Sequence, residues 1–454
     1  MSKNILIIGG GITALSVLHY LKKKYAERRD IDFLLFEKND YAGGSICTFD
    51  CGGCLVEGGP NGFRDSKIST LQLARELGLE GELIRASPQA KIRYLAVADK
   101  LYPLPTNPKN FLTFPLLSVA NKLRAAAEPF VAKGQNPDES VYDFAKRRLG
   151  HKIAETFIDP MVTGIYAGDP KALNLRVAFP RLYELEQVYG SLFKAIVAQI
   201  KEKAKPMGGD LWSFKSGMQA LTNRLFEKYQ EHIHLSEDVQ TISRTPNGFK
   251  VTTKKTSCEA NEVFLCTPAY TASSLTQNLN PFLSQYLRQI NYAPISVVGL
   301  IYRHADVKTC PPGFGYLIAS SQNKKVLGAL FTNQIFPEHG KNDAWGVRVM
   351  IGGIRFPDIL SHTDEELIAL AKDELRATLQ ITAQPIAAHI RNWPRAIPQY
   401  DNTLAALREK IKKEAQKIPH FYLASNYLEG VSVNDCTQEG KRAAQKSSLE
   451  AIAG

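Results

Sequence analysis

The stretch NILIIGGGITAL, residues 4–15, decides the fold of this 454-residue chain. Its apolar run at residues 5–8 is short and rich in β-branched side chains, which predicts a buried parallel strand. The spacing Gly9-x-Gly11-x-x-Ala14 follows at once and opens a helical pattern that ends in three lysines, where cations suit the helix dipole. The pattern therefore predicts a strand, a tight turn and a helix.

Each residue type at this turn has its own chemical reason. Gly9 allows the tight turn, the missing side chain at Gly11 lets backbone amides reach a pyrophosphate, and the small Ala14 lets helix and strand pack closely. A second apolar strand, residues 33–36, delivers Glu37 where a carboxylate binds a ribose hydroxyl pair. The sequence thus predicts a dinucleotide site. Its expected contacts in this first part are Gly9, Gly10, Gly11, Ile12, Thr13, Ala14, Glu37 and Lys38.

The next glycines narrow the choice of dinucleotide. Gly43 and Gly44 are followed by VEGGPNGFR, residues 56–64. Together with the first turn, this resembles the flavin-binding signature of the amine-oxidase-like FAD superfamily. Ser45 stands where that superfamily often has a basic residue, so one phosphate contact should be weaker. The resemblance adds to the FAD contacts Gly43, Gly44, Ser45, Gly59, Pro60, Asn61 and Gly62.

Composition limits the class of protein and its partners. The length allows two or three domains, and 44% hydrophobic residues are enough for real cores. The 56 basic and 45 acidic side chains give a net charge of +11, which favours anionic partners such as nucleic acid, anionic lipid or an acidic metabolite. Nucleic acid is the weakest of these candidates and is not predicted, because no dense basic run with interleaved aromatics occurs.

The cysteines and the apolar runs bear on location. Seven cysteines without framework spacing suit a reducing compartment. Cys51 and Cys54 form a C-x-x-C in a glycine-broken hairpin, without a fourth zinc ligand or a helix N-terminus, so we predict no metal site. No secretory signal is visible, and no uncharged stretch reaches the roughly 18 residues of a spanning helix. The expected location is the cytoplasm or a membrane face.

The chain alternates between two kinds of pattern after the first motif. Residues 107–205 are helical and poor in strands, and within them residues 109–122 are apolar and aromatic between cations. That segment fits a membrane interface, a helical core or the roof of an apolar pocket. Residues 207–275 and the last 50 residues return to α/β patterns. No second Gly-x-Gly-x-x-Gly exists, so electrons should enter from the substrate and leave to oxygen or another small acceptor.

A resemblance to the protoporphyrinogen oxidase family covers essentially the whole chain. Besides the glycine motifs, it is carried by IRYLAVADKLYPLP, FIDPMVTGIYAGDP (residues 157–170), FGYLIAS (residues 314–320) and LEGVSVNDCTQEGKRAA. The C-terminal flavin-linking cysteine motif of monoamine oxidases is missing, which implies non-covalent FAD. Ala424-Ser425 stands where the family usually has Ala-Gly, a small departure.

The resemblance implies an α/β fold. A Rossmann-type, glutathione-reductase-like FAD domain is interleaved with a mixed-sheet substrate domain and a helical membrane-binding domain. The expected boundaries are FAD domain 1–85, 206–275 and 403–454; substrate domain 86–106 and 276–402; helical domain 107–205.

The resemblance further implies oxygen-dependent, six-electron oxidation of a porphyrinogen in three FAD cycles, with hydrogen peroxide as the second product. The family's carboxylate-anchoring arginine falls on Arg93, the residues that sandwich the macrocycle fall near Leu317 and Met350, and Gly164 lines the pocket. Further FAD contacts implied by the resemblance are Val239, Trp393, Asn426, Val431, Ser432 and Val433. Expected partners are the porphyrinogen, molecular oxygen and the inner face of the cell membrane, with a homodimer left open.

Several alternatives remain at this point. The substrate could be protoporphyrinogen or the four-carboxylate coproporphyrinogen, since both need an apolar slot and cations. A related flavin oxidase or desaturase would act on an amine or a polyene, and a non-catalytic FAD protein would only bind porphyrin. Arg93 could instead form an ordinary salt bridge.

Overall fold

A computed structural model describes residues 3–201, 209–340 and 343–449. The predicted strand, turn and helix at the start are confirmed as β1 (Lys3–Ile8) and α1 (Ile12–Lys24), followed by β2 (Ile31–Phe36). The further strands are β3 (Thr48–Cys51), β4 (Cys54–Glu57), β5 (Phe63–Arg64), β6 (Leu83–Arg85), β7 (Tyr94–Val97), β8 (Lys100–Pro103), β9 (Leu211–Phe214), β10 (Ile233–His234), β11 (Val239–Thr245), β12 (Gly248–Thr253), β13 (Ser257–Ala260), β14 (Glu262–Leu265), β15 (Tyr292–Arg303), β16 (Gly315–Ile318), β17 (Val326–Phe331), β18 (Ala344–Gly352), β19 (Ala387–Pro398) and β20 (Phe421–Leu423).

The further α-helices are distributed along the chain. They are α2 (Ser69–Glu76), α3 (Pro108–Thr113), α4 (Val119–Ala126), α5 (Val141–Leu149), α6 (His151–Ile153), α7 (Asp159–Tyr166), α8 (Leu175–Ala178), α9 (Pro180–Tyr189), α10 (Leu192–Lys201), α11 (Gln219–Tyr229), α12 (Ala269–Thr276), α13 (Pro281–Arg288), α14 (Thr332–Ile335), α15 (Asp364–Leu379), α16 (Asn402–Gln416) and α17 (Val433–Lys446). A π-helical segment, Ala154–Ile158, leads into α7.

The nucleotide domain is built on a parallel sheet with the strand order β10-β2-β1-β14-β20. Alternate residues of β1 supply two separate cores, because successive side chains of a strand point to opposite faces. Ile5 and Ile7 pack with α1 in one core. Leu6 and Ile8 pack in the other, which includes the antiparallel β11-β12-β13 sheet. The Gly9 turn therefore lies between two filled layers, which hold it in place.

A second, mixed sheet has the strand order β19-β15-β18-β17-β16-β7-β8. Its described neighbours are antiparallel except for β16 and β7, which are parallel. One face packs against α15 through residues such as Val298, Val349 and Leu375. Helix α7 and the segment that follows β4 pack on the other face.

The predicted interface segment of the helical region, residues 109–122, is partly buried and partly exposed. Within residues 109–122, Phe114 and Leu117 are buried with Ile153, while Leu112 and Val119 are exposed. The region is held by the fully buried Arg148, which ion-pairs with Glu128 and Glu186. No helix of the described chain is long and apolar enough to span a bilayer.

The predicted domain boundaries can be compared with the elements. The boundary at 275/276 falls inside α12, which packs on α13, and α13 in turn packs on α16 beside the nucleotide sheet. The domain boundaries themselves stay predictions. The boundary at 205/206 and the end of the last predicted segment lie outside the described residues.

Candidate functional site

The first glycine turn has the geometry that a pyrophosphate needs. Gly9 has φ +110°, and a Cβ there would meet the Cys266 carbonyl oxygen at 2.9 Å, so only glycine fits. A Cβ on Gly11 would meet nothing within 4 Å, so the space in front of α1 is open. Gly11 begins α1 without a side-chain cap, and no acidic side chain lies in its first turn. The N–H groups of residues 12–14 therefore remain available for a phosphate.

Glu37 closes the turn from β2. One carboxylate oxygen accepts a hydrogen bond from the Gly10 N–H at 2.5 Å, and the other accepts from Asn39 N–H and Nδ2 at 2.9 and 2.6 Å. The side chain is 6% exposed, and burial raises its pKa despite these hydrogen bonds. The carboxylate is thus fixed at the end of β2, where a ribose is expected.

The second glycine pair packs directly on the first turn. Gly43 donates its N–H to the Gly10 carbonyl at 2.8 Å, and a Cβ on Gly44 would meet Gly11 Cα at 3.0 Å. Ser45 is exposed, but its carbonyl lies so close to Gly59 that no side chain fits there. The structure therefore brings residues 9–14, 43–45 and 59 together.

The remaining predicted cofactor residues lie around this centre in different ways. Val239 is buried at the start of β11, and Lys38 is exposed beside Glu37. Ser432 caps α17 through a capping box with Asp435. Because Gly440 approaches the Thr13 carbonyl of α1, the C-terminal helix lies against the first one. Val431 and Val433 flank this cap, and Asn426 accepts a hydrogen bond from Tyr400 through its carbonyl at 2.6 Å.

The segment 58–62 joins the cofactor region to the substrate sheet. Trp393 of β19 donates its Nε1–H to the Gly58 carbonyl at 2.7 Å, and Arg348 of β18 donates from Nη2 to the Gly59 carbonyl at 2.5 Å. Pro60 follows, and Gly62 is packed against the Trp212 carbonyl. Two neighbouring carbonyls are therefore held by side chains of the second sheet.

Unpaired donors in this region allow a test of whether a flavin fits. Asn61 Nδ2, Arg348 Nε and Arg391 Nε are buried and have no hydrogen-bond partner among the described residues. Buried donors are costly unless a partner satisfies them. The polar edge of an FAD molecule offers carbonyl, hydroxyl and phosphate acceptors. Open space at Gly11 and orphaned donors at residues 61, 348 and 391 thus agree with an FAD site.

An apolar row crosses the substrate sheet next to this segment. Leu317 pairs with Gly328, Gly328 pairs with Met350, and Met350 pairs with Val297. Residues directly opposite each other share a face, so Leu317 and Met350 stand on either side of Gly328, roughly 10 Å apart at the strand spacing. Met350 also packs near Trp393. The row forms an apolar strip, which we call the groove; Gly328 has no side chain, and the Leu317 side chain lies beside it, because a Cβ on Gly328 would meet Leu317 Cδ2 at 3.2 Å.

Gly164 of α7 faces this groove. A Cβ on Gly164 would meet Leu317 Cδ2 at 2.9 Å, so the helix approaches the strand as closely as a glycine allows. The structure therefore brings together the predicted pocket residues 164, 317 and 350, which are far apart in sequence.

Arg93 lies at the edge of the same sheet, just before β7. Its guanidinium sits over the Phe314 ring at 4.8 Å. Among the described residues it has no carboxylate within ion-pair distance, so the salt-bridge alternative is not what the structure contains. Partial desolvation and then the charge of Arg64 lower the pKa of Arg93. The negative charge of a carboxylate ligand would offset both effects.

Two arginines of the site were missed by the sequence reasoning. Arg348 and Arg391 both face the cofactor segment; Arg391 donates to the Tyr41 hydroxyl at 2.7 Å and lies over the Trp393 ring at 4.4 Å. The signal was present, because Arg348 interrupts an otherwise apolar strand and lies two residues before Met350 on the same face. Arg391 likewise lies two residues before Trp393, on the same face of β19.

The cysteines of the described chain are free thiols in this arrangement. Cys51 and Cys54 face each other across a β3-β4 hairpin and are free thiols, with the Cys54 Sγ near the Asn333 side chain. Within the described ranges, no group of three or more His, Cys, Asp or Glu side chains could hold a metal ion.

Comparison with solved structures supports the class of fold. A crystal structure from Exiguobacterium sp. 255-15, provisionally named a protoporphyrinogen oxidase, matches with a TM-score of 0.83 and 23% identity over 98% of both chains. A redesigned putrescine oxidase matches with a TM-score of 0.73 and 15% identity, again over 98% of both chains. At these identities the two matches show the fold.

Sequence comparison then gives the family. The model of flavin containing amine oxidoreductases matches residues 16–446, so the chain belongs to that family. Protoporphyrinogen oxidase 1 of Spinacia oleracea is 30% identical over 468 residues, covering 95% of this chain and 82% of the relative. Coproporphyrinogen III oxidase of Bacillus subtilis (strain 168) is 26% identical over 468 residues, covering 97% of each. The predicted family resemblance, the α/β fold and the FAD cofactor are therefore confirmed.

Proposed function

We propose that this oxidoreductase converts protoporphyrinogen IX to protoporphyrin IX by six-electron oxidation in tetrapyrrole biosynthesis. The observation that carries the proposal is the apolar row of Leu317, Gly328 and Met350, against which Gly164 packs. Arg93 lies at the end of the neighbouring strand β7 and has no carboxylate partner among the described residues. A porphyrinogen is a broad apolar ring with carboxylates on its edge, and this groove offers matching chemistry. Relatives that are named as porphyrinogen oxidases align with nearly the whole chain, which supports this choice of substrate.

The chain's own residues bind and orient in this proposal. Leu317 and Met350 hold the macrocycle between them, where the soft thioether of Met350 can pack on a pyrrole. Arg93 pairs with a propionate and so fixes the rotation of the ring. The Glu37 carboxylate, the turn amides and the α17 terminus hold the FAD. When bound, FAD supplies hydride acceptance from the substrate, with oxygen as final acceptor and hydrogen peroxide as product. The protons released from ring nitrogens pass to solvent.

Coproporphyrinogen III is the second candidate substrate. The relatives of that name from Bacillus subtilis and Staphylococcus aureus align with 97% and 98% of this chain. Arg64 near Arg93 would help a more carboxylated ring at that end of the groove. An amine or polyene substrate is disfavoured because neither needs Arg93.

A direct assay separates these candidates. The purified protein is given protoporphyrinogen IX, coproporphyrinogen III or a primary amine in air, and porphyrin fluorescence and peroxide are followed together. We expect fluorescence and peroxide with protoporphyrinogen at a higher kcat/KM than with coproporphyrinogen. A higher kcat/KM with coproporphyrinogen would make coproporphyrinogen III the substrate and reject protoporphyrinogen IX. Peroxide with the amine alone would reject the porphyrinogen proposal, and porphyrin binding without turnover would indicate the non-catalytic alternative.

We also propose that the helical region binds the inner face of the cell membrane peripherally. Large apolar side chains are exposed on α9 and α10 and on α3, α4 and the turn after them, and lysines lie among them. These apolar residues are Leu112, Val119, Leu123, Phe130, Val188, Phe193, Ile196, Val197 and Ile200; we call this set the apolar surface. Apolar side chains with interspersed cations are typical of a membrane interface. Homodimer formation stays a prediction that light scattering of the purified protein would test.

A further inference from the structure

Arg348 is a buried cation whose hydrogen bonding is incomplete. Its side chain is 7% exposed and lies on the groove face of β18, two residues before Met350. Nη2 donates to the Gly59 carbonyl at 2.5 Å, while Nε has no partner in the described part of the chain. Burying a guanidinium costs free energy unless its surroundings compensate. Because this arrangement costs stability, we infer that the arginine serves the function of the site.

Among the described residues, no carboxylate contacts this charge directly. Glu57 acts on it electrostatically, and the Glu57 oxygens already accept from the Met218 N–H at 2.7 Å and the Thr48 hydroxyl at 2.8 Å. No ion pair between Glu57 and Arg348 occurs within 4.0 Å in the described structure. Burial raises the pKa of Glu57 to about 7 and lowers that of Arg348 to about 10. Burial therefore disfavours both charges, and Arg348 keeps its position without a direct carboxylate contact among the described residues.

The cation acts on the segment that forms the flavin site. Gly59 and its neighbour Gly58 are held by Arg348 and Trp393 respectively, and Asn61 with its orphaned Nδ2 follows two residues later. Trp393 supplies a neutral hydrogen bond, whereas Arg348 supplies a hydrogen bond and a charge. Variants of Trp393 therefore test the hydrogen bonding of this segment alone, and variants of Arg348 test hydrogen bonding and charge together.

We propose that Arg348 is a positioning residue that holds the Gly59 carbonyl against the bound FAD and whose charge favours the reduced flavin. Reduction of a flavin increases negative charge at its ring, and a buried cation nearby stabilises that charge. This role does not depend on the identity of the substrate, so it can be tested without a porphyrinogen.

The test compares holoprotein variants by anaerobic reduction against a reference dye. R348M removes the charge, and R348K keeps it with a shorter reach. W393F removes the neutral hydrogen bond to Gly58 and keeps an aromatic ring under Arg391. R376M removes a charge from α15, on the far side of the sheet. We expect R348M to shift the two-electron reduction equilibrium toward the oxidised flavin at least tenfold, about 30 mV. R348K, W393F and R376M should stay within about threefold of the unmodified protein, about 15 mV.

The same samples report on positioning. We expect R348M and W393F to lower FAD retention and to alter the fine structure of the flavin absorption band, and R376M to do neither. An R348M holoprotein with an unchanged reduction equilibrium would overturn the charge role, and unchanged retention and spectrum would overturn the positioning role. Should R348M fold but bind no FAD, R348K decides: an equilibrium like that of the unmodified protein supports the proposal, and a tenfold shift contradicts it.

Discussion

At the scale of single residues, Glu37 ties the two strands that open the nucleotide domain. Its carboxylate accepts from Gly10 and Asn39, so it fixes the glycine turn as well as the expected ribose position. A charged hydrogen bond of this kind contributes about 1.5–3 kcal/mol, and an orphaned buried N–H costs a similar amount. The local pattern predicted this residue because strand, turn and acid are adjacent in sequence.

Replacement of Glu37 by Ala should therefore weaken FAD binding at least tenfold, because the turn loses its anchor and the cofactor its ribose contact. Titration of the apoprotein with FAD measures this. Asp32→Ala, an exposed change on the same strand, serves as the control and should bind like the unmodified protein. An E37A protein with undiminished affinity would remove the ribose role.

Arg93 gives the second residue-scale prediction, which rests on the porphyrinogen proposal. Without a carboxylate partner in the described chain, its guanidinium is available for a propionate. Arg93→Ala should raise KM about tenfold for a carboxylated porphyrinogen, in line with a charge-assisted hydrogen bond. The ester should show little change, and Arg93→Lys should recover part of the loss. Equal effects on acid and ester would exclude Arg93 as the anchor.

At the scale of elements, β1, α1 and β2 could be predicted because their signals are local. The groove could not be derived in the same way, because pairing of Leu317, Gly328 and Met350 joins three strands and depends on the register of the whole sheet. Leu317, Met350 and Gly164 were placed by family resemblance alone. Arg348 was missed because a charge within an apolar strand carries a meaning only once its Gly59 partner is known.

The contact between α7 and β16 is open to a steric test. Gly164→Val adds atoms where Leu317 Cδ2 already lies within 2.9 Å of a Cβ position, so Leu317 must move into the groove. We expect porphyrinogen turnover to fall at least tenfold while FAD retention stays unchanged, measured on the same preparation. Val162→Ala, a buried change on the same helix, controls for general loosening of α7. Full turnover in G164V would mean that the groove is not the substrate site.

Helix α17 gives a prediction on pH. Glu439 is 6% exposed, and burial, followed by the charge of Glu429, raises its pKa to about 7 from 4.5. Because the folded pKa lies above the unfolded one, the carboxyl group favours the fold below about pH 4.5 and loses that contribution as pH rises through 7. Glu439→Gln should therefore gain stability relative to the unmodified protein between pH 5.5 and 8. Urea unfolding at pH 5.5 and at pH 8 measures the free energy of unfolding of both proteins. A difference between them that is the same at both pH values would contradict the argument from burial of Glu439.

At the scale of the whole molecule, the exposed apolar side chains concentrate on the helical region, away from the nucleotide sheet. The sequence indicated an interface only for residues 109–122, and the structure divides that segment between a small core and the apolar surface. The contribution of α9 and α10 could not be read from the chain, because their outward faces depend on how they pack against Glu128 and Ser191.

Membrane binding is testable on this basis. Phe193→Glu with Ile200→Glu places two charges in the apolar surface, and each exposed apolar side chain contributes about 1.5–3 kcal/mol when fully buried. We expect flotation with phosphatidylglycerol-containing vesicles to fall at least tenfold. Phe282→Glu, which is 62% exposed on α13, is the matched control and should float like the unmodified protein. Equal flotation of the unmodified protein, the double variant and the Phe282→Glu variant would mean that the apolar surface does not bind the membrane.

The central claim is that one FAD, held by the glycine turn and the C-terminal helix, oxidises a porphyrinogen lying in the adjacent groove. Anaerobic mixing of the yellow purified protein with one porphyrinogen at a time tests it most directly. The account predicts rapid bleaching of the flavin band by a porphyrinogen, and return of the colour with peroxide when air is admitted. A colourless protein that takes up no FAD, or a yellow protein that neither porphyrinogen bleaches, would contradict it.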